Sequence, residues 1–335
     1  MASLDENNLL TLMGQEILPG KSAVVNFNIA RLYTTSTVEV PIIVERAKKP
    51  GPVVLITSGI HGDEINGVEI VRQLIARKIN KPAIGTVICI PILNIFGFLD
   101  MRRSFPDGRD LNRVFPGTPR GSLASRFAYQ FVKEILPVAD YCLDFHTGGA
   151  SRFNASQIRI AKDQEVLMEL ALTFNAPFTV FSKNIPKSYR DTCAKMGKPI
   201  LLFEGGKSKV NDPQIARHGV HGAIRVLNHL GMLKKGQTVP IKKEATILIE
   251  HSKWQRAKYS GLLHLQAHCG DRVQKGDPLA LITDPYGKFS HQVRSNHEGY
   301  IINTNEAALV YQGDAIFHIT TSANTHDQSG SEEEI

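Results

Sequence analysis

The chain has 335 residues, 42% apolar and 21% charged, with a formal net charge of +7. This is enough length and apolar content for a large domain with its own core beside a smaller one. Lys and Arg are spread without a dense basic run or an aromatic-interleaved strand motif, which argues against a nucleic-acid partner. No apolar run reaches the roughly 18 residues of a membrane helix, and MASLDENNLL has no basic stretch followed by an apolar core, so no secretory leader is expected.

Residues 1–19 form an N-terminal segment. SAVVNFNIA and TVEVPIIVE, within 20–46, read as antiparallel strands. From there to residue 230 buried apolar runs alternate with amphipathic stretches. VVLITSGI (53–60) reads as a strand, EINGVEIVRQLIARKI (64–79) as a helix and GTVICIPILN (85–94) as a strand. SRFAYQFVKEIL (125–136) is helical, YCLDF (141–145) a strand, EVLMELALTF (165–174) helical and PILLFEGG (199–206) a strand. QIARHGVHGAIRVLNHLGML (214–233) is a closing helix. Continuous apolar strands between helices predict an α/β domain over 20–236, its largely parallel sheet covered on both faces. After LKKGQ the character changes. ATILIE, GLLHLQ, DPLALITD, HQVRS, GYIINT and DAIFHIT predict a smaller all-β domain over 237–321. The polar, acidic stretch 322–335 is expected to be disordered. The four cysteines, Cys89, Cys142, Cys193 and Cys269, are far apart and form no CxxC pair. They read as free thiols and suit a reducing cytoplasm.

Four stretches carry residue types that do chemistry. In SGIHGDEING, His61 and Glu64 are three residues apart, past a strand and at a helix start, so both can converge on one point. Imidazole nitrogen and carboxylate oxygen are the donors of catalytic zinc sites, and Gly59 and Gly62 permit the tight turn. Taken alone, the pair reads sooner as a structural histidine and a Glu that favours the helix dipole. In LDFHTGG, His146 ends a strand at the edge where open α/β sheets bind ligands. Asp144, two residues earlier, shares its face and can orient it or support a neighbouring group. In LLFEGG, Glu204 closes an apolar strand. A carboxylate there is costly in a core but useful in a cleft, where it can move a proton. In DGRDLNRVFPG, Arg109, Asn112 and Arg113 can hold a carboxylate. Together these make a His2Glu hydrolase site with an open fourth position.

HGDE, DGRDLNRVFPG, DFHTGG and FEGG, in this order, resemble the succinylglutamate desuccinylase/aspartoacylase family, a branch of the zinc carboxypeptidase-like hydrolases, over residues 50–230. The resemblance implies a carboxypeptidase-like mixed sheet flanked by helices. It implies one Zn2+ per chain on His61, Glu64 and His146, with Glu204 as general base and then acid. It places Asn112 and Arg113 on the substrate carboxylate. The family also uses an upstream arginine to polarise the scissile carbonyl; Arg102, Arg103 and Arg109 compete for that role and Arg103 is favoured. The expected activity is hydrolysis of the linear amide of a small, carboxylate-bearing N-acyl amino acid. A metallocarboxypeptidase acting on short peptides and an inactive binding protein on the same scaffold are the rival readings. The oligomeric state stays open, a homo-oligomer among the options.

In the β domain, GDRVQKGDPLALITD (270–284) resembles half of a biotinyl/lipoyl-type barrel-sandwich. Lys288 in the following turn lacks the neighbours of a modifiable lysine, so a structural or substrate-shielding role is expected. His218, His221 and His229 on the closing helix read as structural or exposed rather than as a second metal site. Tyr189 and Tyr286 are candidates for a hydroxyl over the site.

Overall fold

Four of the apolar runs pair side by side and parallel: Ile84–Ile90, Lys49–Ser58, Tyr141–Gly148 and Ile200–Lys207. In the computed structural model, which describes residues 4–5, 9–31, 37–162, 164–240 and 245–325, they are the middle of a 12-stranded mixed sheet. On one side Thr37–Arg46 and Ser22–Arg31 continue it antiparallel, as their alternating patterns predict. On the other side comes Arg152–Ile160, antiparallel to Ile200–Lys207, and then Phe178–Phe181, parallel to Arg152–Ile160.

Successive residues of a strand face opposite sides, and the core divides accordingly. Leu55, Ile88 and Cys142 pack on one face with Phe127 and Phe131 of the helix Leu123–Glu134. Val54, Ile56, Val87 and Phe145 pack on the other. There they meet the helices Ile65–Ala76, Glu165–Phe174 and Pro213–His229. The first core also takes in Leu10, Leu12 and Ile17, so the N-terminal segment is packed against the domain.

The C-terminal segment is built differently from the expectation of a separate domain after residue 236. Ile247–Arg256 pairs parallel with Phe178–Phe181, followed in the same sheet by Ala315–Thr325, Gly299–Asn305 and Arg272–Val273. Gly299–Asn305 also pairs directly with Arg152–Ile160. The remaining strands form a 4-stranded sheet: Gly261–Leu265, Pro278–Thr283, Ser290–Arg294 and Leu309–Val310. Leu263, Ile282, Ile301 and Phe317 give this segment its own small core. The change of sequence character is real, yet backbone hydrogen bonding carries the sheet across it. The stretch expected to be disordered from Ser322 continues as strand to Thr325, because it pairs with Ile247–Ile249; residues 326–335 lie outside the described residues. Among the described residues no helix is long and apolar enough to cross a membrane.

Two glycines shape the turn that leaves the strand Lys49–Ser58. Gly59 has φ +61°, a left-handed conformation that side chains disfavour. Gly62 lies so close to the neighbouring loop that a Cβ would sit 1.9 Å from the carbonyl carbon of Gly97. Gly62→Ala should therefore lower stability by about 1–3 kcal/mol, the usual cost of overpacking. A urea midpoint equal to that of the wild type would rule out this close contact as a constraint.

Candidate metal centre and active-site cavity

The turn carrying Gly62 delivers His61 to one side of a buried carboxylate. Glu64 occupies the N-terminal boundary of the helix Ile65–Ala76 and is 1% exposed. Its Oε1 lies 2.7 Å from His61 Nδ1 and its Oε2 lies 2.9 Å from His146 Nδ1. Thr147 N donates to Oε2 at 3.2 Å. His146 comes from the strand Tyr141–Gly148, which lies beside Lys49–Ser58 in the sheet. The two parallel strands therefore run out at the same edge.

Each imidazole is held from behind. Asp144 Oδ2 lies 2.8 Å from His146 Nε2, and Asp144 Oδ1 accepts from Thr57 Oγ1 at 2.7 Å. Asp110 Oδ1 lies 3.1 Å from His61 Nε2. Carboxylates only accept, so each ring, facing one at both nitrogens, is held as a donor on both sides; with a cation between the rings, Nε2 would keep its proton on Asp144 or Asp110 and Nδ1 would turn its lone pair to the cation. One donor atom from each of His61, Glu64 and His146 lies within 4.8 Å of the other two. Two imidazole nitrogens and a carboxylate oxygen, buried and backed by carboxylates, fit a divalent cation.

The electrostatics agree. Burial would raise the Glu64 carboxyl, but the flanking imidazoles prevail and hold it well below the ordinary range. Burial opposes charge on His146, yet Asp144 and Glu64 push its pKa well above the usual value. His61 is likewise raised against burial by Glu64 and Asp110. Asp110 is lowered despite burial, by His61 and then Arg103. Three carboxylates surround two imidazoles and Arg103, and a divalent cation would take the place of the imidazole protons that otherwise balance them.

The centre opens into a cavity of about 930 Å³. Glu204 and Asn112 line it, as do Arg103 and Arg113. Glu204 stands in register with His146 on the adjoining strand, and its Oε2 accepts from Asn154 Nδ2 at 2.6 Å, with Arg159 at 3.4 Å. Of the three competing arginines only Arg103 lines the cavity. It bridges Glu64 at 3.3 Å and Asp110 at 2.9 Å. Asn112 Oδ1 accepts from Tyr189 N at 2.8 Å, and Arg113 donates to the Asn112 carbonyl at 2.7 Å.

The structure corrects one expected carboxylate ligand. Arg109 is outside this cavity, more than half exposed and paired with Asp107 at 3.8 Å. Neither tyrosine lies over the site. Tyr189 is fully buried against Phe115 and Phe131, and Tyr286 is 81% exposed in a turn. The helix histidines form no metal cluster among the described residues; His218 bonds Ser156 at 2.8 Å and His229 pairs with Glu169 at 3.1 Å.

Several lining residues carried no signal in the sequence. Asp110 sits inside the motif that drew attention to its neighbours, and the i−2 relation to Asn112 hid it. Arg190 lines the cavity with its guanidinium on Ser182 and the Lys183 carbonyl; burial and Arg159 lower its pKa to about 10. The C-terminal segment supplies Trp254, Asn303 and Asp314. Trp254 stacks on His318 at 4.4 Å, with Arg152 over its ring at 5.5 Å. Burial and the nearby Arg159 push the His318 imidazole down to about 4, so a neutral ring supports the tryptophan.

The chain is 29% identical over 290 residues to the N-alpha-acetyl-L-2,4-diaminobutyric acid deacetylase of Halomonas elongata, covering 83% of this chain and 84% of that one. A product-bound ectoine utilization protein from Ruegeria pomeroyi superposes with a TM-score of 0.78 at 24% identity, over 91% of this chain and 98% of that one. A succinylglutamate desuccinylase/aspartoacylase from Rhodobacter sphaeroides gives 0.77 at 24%, over 92% and 96%. These two likenesses are of fold. Residues 50–230, which hold His61, Glu64, His146 and Glu204, match the model of the succinylglutamate desuccinylase/aspartoacylase catalytic domain, and the chain belongs to that family.

Proposed function

We propose that the chain is a zinc-dependent amidohydrolase that cleaves the amide bond of a small, carboxylate-bearing N-acyl amino acid. The observation that carries this reading is the buried Glu64 carboxylate between two Nδ1 atoms, opening onto the same cavity as Glu204. The relative that deacetylates an acetylated diamino acid supports the substrate class. So does the cavity wall: strands of the C-terminal segment contribute Trp254, Asn303 and Asp314 to it, which suits a small substrate better than a peptide. The frame of the reading is a carboxypeptidase-like sheet with a barrel-sandwich-like C-terminal segment.

His61, Glu64 and His146 would hold one zinc ion, which supplies Lewis acidity toward the acyl carbonyl and acidifies a water. Glu204 accepts the proton of the attacking water and returns it to the departing amine. Arg103, held by Asp110 at the mouth of the centre, faces the charge that develops on the carbonyl oxygen. Asn112 and Arg113 orient the substrate carboxylate. The products are a carboxylic acid and a free amine.

Three outcomes are expected. Elemental analysis should find about one zinc per chain, absent from His146→Ala, because a catalytic-type site has only three protein ligands and the variant removes one. No zinc in the wild type after reconstitution would sink the metal centre. Glu204→Gln should keep its zinc and lose roughly 10²- to 10⁴-fold in kcat on a panel of N-acyl amino acids, the usual worth of a general base; near-normal turnover would remove Glu204 from the chemistry. Asp110→Asn should weaken zinc binding by about 10- to 100-fold in a chelator competition, as loss of a ligand-orienting carboxylate does. An unchanged affinity would show that Asp110 does not orient His61.

A further inference from the structure

We propose that Asn303, from the C-terminal segment, is a positioning residue for Glu204 and acts through Asn154. The inference rests on the reading of Glu204 as the group that carries the proton. A carboxylate oxygen only accepts hydrogen bonds, so the 2.6 Å contact between Asn154 Nδ2 and Glu204 Oε2 fixes which way the Asn154 amide faces. Its Oδ1 is then turned to Asn303 and accepts from Asn303 Nδ2. The three side chains have one consistent orientation, Asn303 to Asn154 to Glu204, each donating to the next.

Both amides are buried, Asn154 2% and Asn303 4% exposed, so their contacts to each other and to Glu204 are made away from bulk solvent. The strands hold the chain in register: Asn303 pairs with Asn154, and Asn154 with Gly206, two residues beyond Glu204. Asn303 Oδ1 is buried without a hydrogen-bond partner among the described residues.

The relay also selects an oxygen. Asn154 and Arg159 both approach Oε2 of Glu204. Oε1 is left to take the proton from water and hand it to the amine. Without Asn303, the Asn154 amide is free to turn its own oxygen toward Glu204, and the carboxylate loses its fixed rotamer. The C-terminal segment therefore completes the proton-transfer machinery as well as walling the cavity.

The test combines kinetics with 15N labelling of Asn side chains, the Asn154 amide resonance being identified by its loss in Asn154→Ala. In Asn303→Ala that resonance should move from its wild-type position, and kcat should fall about 10- to 100-fold, the scale of a misplaced catalytic group, with KM and zinc content unchanged. Asn303→Asp keeps the side-chain volume but cannot donate when ionised, and should give the same pattern. An Asn154 resonance at its wild-type position in both variants overturns the relay, whether or not any substrate is turned over. Wild-type kcat in a folded variant whose resonance has moved overturns the catalytic role. A wild-type chain that hydrolyses no acylated amino acid instead overturns the proposed function, and the resonance still decides the relay.

Discussion

The buried Glu64 carboxylate is the constraint around which the rest of the site is arranged. A charge that is 1% exposed must be paired, and pairing it with two imidazoles creates a further need, since each ring has a second nitrogen to satisfy. Asp144 and Asp110 meet it. Arg103 then balances Glu64 and Asp110 together. None of these groups is stable at its position without the others. The strand ends, the turn at Gly62 and the loop carrying Asp110 must therefore reach one point, and three carboxylates around two imidazoles suit a cation that replaces the imidazole protons.

Parallel pairing gives that convergence its platform. Strands that run the same way end at the same edge, so Lys49–Ser58, Tyr141–Gly148 and Ile200–Lys207 present His61, His146 and Glu204 side by side. The antiparallel strand Arg152–Ile160 breaks the pattern next to Glu204 and places Asn154 and Arg159 against its carboxylate. Its other partner, Gly299–Asn305, brings the C-terminal segment to the same spot. A β-rich appendage that reads in the sequence as a separate unit thus becomes part of the cavity through backbone pairing, with side-chain contacts such as Asn303 to Asn154 across it.

The alternation of apolar runs and amphipathic stretches determined the central strands and the helices that cover them, because burial on two faces leaves a continuous apolar signature. The candidate donors His61 and His146, and Glu204, stand out in the sequence because each sits where such a run stops at a polar residue close to a glycine. Arg152–Ile160 left no such mark, since it buries Asn154, Ser156 and Gln157 where an ordinary strand would bury aliphatic groups. Tertiary structure brought Arg103, already favoured in the sequence, to the cavity without Arg102 or Arg109, and it alone turned Asp110 toward His61, sent Arg109 to Asp107 and set Asn303 against Asn154. Local sequence encodes which side chains can do chemistry and which segments must be buried. Which of several like groups meets a given partner depends on contacts between residues far apart in the chain, and those exist only once the strands have paired.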